Sequence, residues 1–220
     1  MSSEQPSGTR SVKIGADERG GWSSDRPRRG LPGGEERPPR PADLSVRCRI
    51  LRPADRMRYS PGSLVVVVSA SAPDRERFVG RVFEEQAAVL GVSKLRALIA
   101  GRVPDEELDA KAAELLAATV TKRLEGGQSV VVPVETLDPA EREPFVRLAH
   151  RFRRPRHLVL VETARENVSE EDVPVLNELR RALDAGELGA EGFQTAMRLG
   201  GAAVGELKRI VFRPPPRDED

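Results

Sequence analysis

Three short β-branched runs organise the last two thirds of the chain: LVVVV at Leu64–Val68, SVVVPV at Ser129–Val134 and HLVLVE at His157–Glu162. Each is nearly continuous in apolar residues rather than alternating, the pattern of strands buried on both faces in a parallel sheet. Helical spacing fills the gaps between them. Leu108, Ala112, Leu115, Thr119 and Leu124 recur at steps of three to five and predict a helix that stops at Gly126. Asp138 is placed to cap a second helix, with Pro139 at its first position and Glu141 at its third, and Phe145, Leu148, Ala149 and Phe152 supply its apolar face. These are βαβ crossovers. SEEDV at Ser169–Val173 reads as a helix N-terminus, where carboxylates suit the dipole, and the helix itself covers Val173–Leu183. A late strand at Arg209–Phe212 ends at Pro214. Ahead of all this, Leu44, Val46, Cys48 and Ile50 alternate with Ser45, Arg47 and Arg49, predicting a half-buried strand on the edge of the domain. No internal repeat is visible.

Composition adds a tail to this α/β domain. The chain has 220 residues, 38% hydrophobic and 32% charged, with a single cysteine, Cys48, so no disulfide framework forms and the cytoplasm is the expected compartment. The longest purely aliphatic run, Leu64–Val68, is far too short to span a membrane, and MSSEQPSGTR lacks the apolar segment of a secretory signal. The net charge of +1 hides an asymmetry: residues 1–60 hold thirteen basic against eight acidic side chains, the remainder twenty-three against twenty-seven. Residues 1–43 are rich in Arg, Pro, Gly and Ser and too poor in apolar residues to repay the entropy of ordering, so they are expected to be disordered. The expected organisation is that tail, an edge strand and connector over 44–60, the α/β domain over 61–216, and an acidic end over 217–220.

The basic residues define two candidate nucleic-acid contacts. One is the tail, with RPRR at Arg26–Arg29 and Trp22 as a lone stacking residue. The other is the cluster Arg147, Arg151, Arg153, Arg154 and Arg156, which equally suits a helix C-terminus, where cations complement the dipole. His150 and His157 stand seven apart with no Cys or carboxylate at ligand spacing, so no metal site is expected and both read as surface imidazoles at a helix end. No Ser-His-Asp or Cys-His arrangement emerges.

From about Met57 to Pro216 the chain resembles the N-terminal kinase module of bacterial polynucleotide kinase-phosphatase and related small P-loop kinases. SPGSLVVVV resembles the module's opening strand into its phosphate loop, and Phe78 falls on the Phe that follows Lys-Ser-Thr there. VLGVSKLRALIAG at Val89–Gly101 is similar to the Val-Leu-Ser-Ser-Asp-x-x-Arg segment. TKRLEGGQSVVVPVETLDPAER at Thr121–Arg142 is similar to a helix ending in Lys-Arg-Leu, a Val-Val-Asp-Ala-Thr strand end and a Pro-x-x-Arg turn, and AEGFQTAMRL at Ala190–Leu199 to a Glu-Gly-Phe segment. The fold this implies is a three-layer P-loop NTPase-like α/β domain, a parallel sheet flanked by helices.

The resemblance also implies what has been lost. In its register the two loop glycines are Ser69 and Asp74, the phosphate lysine is Arg75 and the Mg²⁺-ligating hydroxyl is Glu76. The general-base Asp becomes Ser93, which takes no proton near neutrality, and the strand-end Asp becomes Pro133. The arginine-bearing lid is largely deleted after Val161. Arg75, Arg96 and Arg142 remain as candidate phosphate contacts, Asp74 and Glu76 being expected to pair with Arg75 first. Glu135 and Thr136 lie at the carboxyl end of a strand, where a remodelled pocket would form. Losing lysine, metal ligand, base and lid together leaves no measurable phosphoryl transfer, because that chemistry rests on positioning and electrostatics. The leading expectation is a pseudokinase, without catalytic residues, cofactor or metal, that serves as a scaffold or regulatory partner of another protein. The alternatives are a diverged nucleotide-binding phosphotransferase using ATP and Mg²⁺, and a nucleic-acid binder working through residues 1–43 and the Arg147–Arg156 cluster.

Overall fold

The computed structural model describes residues 43–214, so the expectations for the tail, for Trp22, for RPRR and for the acidic end lie outside the described residues. The strands are β1 (Arg49–Leu51), β2 (Arg56–Tyr59), β3 (Leu64–Val68), β4 (Val130–Pro133), β5 (Arg156–Val161), β6 (Thr195–Leu199) and β7 (Arg209–Phe212). The helices are α1 (Ala72–Val82), α2 (Val92–Ile99), α3 (Leu108–Glu125), α4 (Pro139–Arg151), α5 (Asp172–Asp184) and α6 (Ala202–Glu206). No helix among the described residues is long and apolar enough to cross a membrane.

All pairings are parallel, in a five-stranded sheet of order β1-β6-β5-β3-β4 and a separate β2-β7 pair. Every residue of β3 is buried, because each face of that strand meets a different core. Leu64, Val66 and Val68 pack with Leu116 and Val120 of α3, Val146 of α4 and Leu176 and Leu179 of α5. Val65 and Val67 pack with Phe78, Val79 and Val82 of α1 and with Ile210 of β7. The domain is therefore a three-layer α/β sandwich, and the doubly buried strands explain the unbroken valine runs.

Several local expectations change. The half-buried strand over 44–51 is reduced to Arg49–Leu51. Residues 44–48 run as a strap held by Val46 N–H donating to the Gly189 carbonyl at 2.9 Å, and Ile50 is 43% exposed. In α3 the core face is Ala112, Leu116, Val120 and Leu124, which puts Leu115 at the surface, 40% exposed, and turns Thr119 from the core. His157 is not a surface imidazole: it lies in β5, 8% exposed, stacked on Tyr59 with ring centroids 4.3 Å apart. α4 follows its expected signals, with Asp138 Oδ1 accepting from Ala140 N–H at 2.9 Å, although Arg142 joins Val146 and Ala149 on its buried face.

The chain runs from β3 to β4 on one side and then to β5 on the other. That reversal places the topological switch point, the usual ligand crevice of an open α/β sheet, at the carboxyl ends of β3, β4 and β5.

Candidate functional site

Only Ser69, Ala70 and Ser71 separate β3 from α1. Ser71 is a helix N-cap whose Oγ accepts from Asp74 N–H at 3.3 Å, and Pro73 sits in the first turn with no N–H to offer. Ser71 N–H donates to Ser69 Oγ at 3.3 Å and Arg75 N–H to the Ser71 carbonyl at 3.0 Å. A phosphate cradle needs successive amides turned inward and unpaired. Here the amides of Ser71, Asp74 and Arg75 are all satisfied within the turn.

The side chains complete the closure. Asp74 accepts from the Thr163 hydroxyl beyond β5 and from Arg77 at 2.9 Å, so its carboxylate ties the first turn of α1 to the segment after β5. The Thr163 hydrogen bond is the largest cause holding the Asp74 carboxyl below its ordinary range; partial burial opposes it, and Ser71 and Arg77 add to it. Asp74 thus pairs with Arg77 and Thr163 rather than with Arg75, as the sequence had led us to expect. Glu76 does pair with Arg75, as an ion pair with its carboxylate 3.9 Å from Nε, beyond hydrogen-bond reach. Arg75 is 3% exposed, donates from Nη1 to the Glu135 carbonyl at 3.2 Å, and leaves its buried Nε without a hydrogen bond.

Glu135 links two of the three candidate arginines. While its carbonyl takes Arg75, its carboxylate accepts from Arg96 Nη1 and Nη2 at 3.3 and 3.5 Å. Arg96 also donates from Nε to Asp109 at 2.6 Å. The backbone at Glu135 and Thr136 is fixed by Glu141, whose carboxylate accepts from Glu135 N–H at 2.7 Å and from Thr136 N–H and Oγ at 2.6 Å each. Pro133 ends β4 beside this hub, and Gly91, which caps α2 two residues before Ser93, approaches it so closely that a Cβ there would sit 3.3 Å from the Pro133 ring. The Ser93 hydroxyl would lie 3.6 Å from that same Cβ, so Gly91 brings the Ser93 and Pro133 positions close together. Among the described residues no three His, Cys, Asp or Glu side chains are grouped to hold a metal.

Arg142 lies apart from this crevice. It is 1% exposed and its guanidinium forks onto Glu191 at 2.7 and 2.8 Å while Nη1 donates to the Leu137 carbonyl at 2.8 Å. All three guanidinium nitrogens are engaged there. The basic cluster is dispersed as well. Arg147 pairs with Glu143, Arg151 lies over the Phe152 ring at 5.7 Å, and Arg153 takes a left-handed φ of 56° in the turn after α4. Arg154 Nε donates to the Leu124 carbonyl at 2.8 Å, and Arg156 Nε, from a largely buried side chain, to the Gly192 carbonyl at 2.7 Å. Arg154 and Arg156 thus brace loops, while Arg147, Arg151 and Arg153 stay exposed. Sequence reasoning missed Thr163 and Glu191, which lie 89 and 49 residues from the partners they hold. It placed Glu135, Thr136 and Arg96 among the candidates but noted Glu141, which fixes the hub's backbone, only as a capping residue.

No family model matches the chain, and no curated protein matches it. Among solved structures it is similar to one titled "Crystal structure of a putative kinase" from Chloroflexus aurantiacus J-10-fl, at 13% identity and a TM-score of 0.35, covering 74% of this chain and 93% of that one.

Proposed function

We propose that the chain is a non-catalytic protein of P-loop-kinase-like architecture that acts by binding a protein partner. The observation that carries this reading is the turn between β3 and α1, whose amides at Ser71, Asp74 and Arg75 are spent internally and whose Asp74 carboxylate fills the gap to Thr163. A polyphosphate brought there meets a fixed negative charge in place of free amide donors. Ser93 and Pro133 supply neither a base nor a metal-water ligand, so the chemistry loses its positioning and its proton acceptor together.

One observation favours a second reading, a diverged phosphotransferase. Arg75 is buried at the switch point with no hydrogen bond at Nε and Glu76 only 3.9 Å away, and a guanidinium there could hold an anion if Asp74 and Glu76 moved aside. Calorimetric titration with ATP and Mg²⁺, repeated with GTP, separates the two. The proposed reading expects no heat at millimolar nucleotide. Micromolar binding that Arg75→Ala abolishes would overturn it and call for an assay of phosphate transfer to a 5′-hydroxyl oligonucleotide.

A further inference from the structure

Beside the closed turn, at the carboxyl end of β4, the structure holds a cavity of about 300 Å³ floored by Val92 of α2, Leu116 of α3, Pro133 of β4 and Phe145 of α4. That volume is at the lower end of the roughly 300–1,000 Å³ of ligand pockets, room for one extended side chain rather than a nucleotide. Its rim is charged. Arg96 is the one cation, against the carboxylates of Asp109, Glu135 and Glu141. Arg96 directs Nε to Asp109 and both Nη atoms to Glu135, so its donors are engaged in the rim itself. Glu141 is directed onto the backbone of Glu135 and Thr136. A carboxylate offers about four acceptor sites, and Asp109 and Glu135 use only part of theirs. The lining therefore carries an excess of two negative charges over an apolar floor, which the buried Arg75 guanidinium on the Glu135 carbonyl offsets only in part. The two helices that flank it also expose Leu98 of α2, at 61%, and Leu115 of α3, at 40%.

We propose that this cavity seats a single basic side chain, arginine or lysine, from the protein partner, its aliphatic stem on Val92, Leu116 and Phe145 and its cationic head at the carboxylate rim. The long apolar stem and charged tip of such a side chain match an apolar floor ringed by acceptors. The same excess of carboxylates repels a phosphodiester, so the cavity selects against nucleic acid. The proposal rests on the protein-binding reading above and names the chemistry of the partner's anchor.

The test is amide NMR of the ¹⁵N-labelled full chain titrated with the blocked peptide Leu-Ala-Arg-Ala-Leu and with the same peptide carrying citrulline, the neutral isostere, in place of arginine. The expected result is shifts at Val92, Ala113 and Phe145 with the arginine peptide and binding weaker by about tenfold with citrulline, the loss of one charge-assisted contact. Asp109→Asn should weaken the arginine peptide. Ala113→Leu, at an exposed position on the cavity wall, should abolish its binding with the unfolding midpoint unchanged. Equal binding of the two peptides, the same shifts with a 5′-hydroxyl oligonucleotide, or no shifts at millimolar peptide would each overturn the proposal. Nucleotide-induced shifts confined to Ser69–Glu76 would instead count against the non-catalytic reading and leave the cavity untouched.

Discussion

Arg75 and Arg142 are both buried guanidiniums, and their surroundings differ. Arg142 has a carboxylate fork and a carbonyl, the geometry in which a buried cation is tolerated, whereas Arg75 has one carbonyl, a more distant ion pair to Glu76 at 3.9 Å and no hydrogen bond at Nε. His157 shows a third solution, burial in the neutral form. Ser63 donates its hydroxyl proton to the Ser60 carbonyl at 2.7 Å, so His157 Nε2–H is assigned as donor to Ser63 Oγ at 3.2 Å and Nδ1 as acceptor from Thr195 Oγ at 2.8 Å. Burial, and secondarily the charge of Arg156, push its pKa down to about 3. The unfolded chain, titrating near the ordinary value of 6.5, then binds the proton that the folded chain refuses. The His157 contribution to stability is complete above pH 6.5 and is lost as pH falls from there toward 3. The slope reaches at most about 1.4 kcal/mol per pH unit. His157→Gln removes this titration, so urea unfolding from pH 7 to pH 4 should show a shallower acid loss in the variant, and parallel profiles would contradict the buried neutral assignment.

Among the elements, the attachment of β1 depends on one glycine. A Cβ at Gly189 would collide with the Val46 carbonyl and lie 3.0 Å from the Cys48 amide nitrogen, so the strap over 44–48 closes onto the main chain only because that position has no side chain. Gly189→Ala should lower stability by about 1–3 kcal/mol in urea titrations, as overpacking does. Gly80→Ala, inside α1 with open space around it, should instead raise stability by about 0.5–1 kcal/mol. Equal effects at the two sites would sink the close-approach account. This attachment shows where sequence reading stops. The valine runs, the caps of α4 and the β7 boundary were legible because each is a local signal of burial or of a helix end. β6 was not, since TAMRL carries exposed Arg198 among buried residues and packs at the sheet through partners far along the chain. α1 was hidden differently: Ser71 and Pro73 are an ordinary helix start, but the family register drew attention to the loop glycines they replace. Within the site, Arg75, Ser93 and Pro133 were found from that register, while their relation to Glu135 and Thr163 is a product of tertiary folding alone.

At the scale of the whole molecule, stability should fall from the sheet centre to one edge. β3 is hydrogen-bonded on both sides and buried on both faces, whereas β1 has three residues, one neighbour and an exposed Ile50. Hydrogen exchange should show β3 and β5 amides opening only with global unfolding and the β1 and Val46 amides opening far more readily; β1 protection equal to that of β3 would refute this gradient. The turn after β3 also sets what substitution can achieve there. Placing Gly, Lys and Ser at positions 74, 75 and 76 would alter side chains inside a helix that already begins at Ala72, and the backbone path would stay as it is. Forming a loop would require unwinding the first turn of α1 and giving up the Ser71 cap, worth about 1 kcal/mol, before any phosphate could compensate. Installing a phosphate loop is therefore a change of backbone before it is a change of side chains, and swapping residues one at a time leaves a helix start where a cradle is wanted.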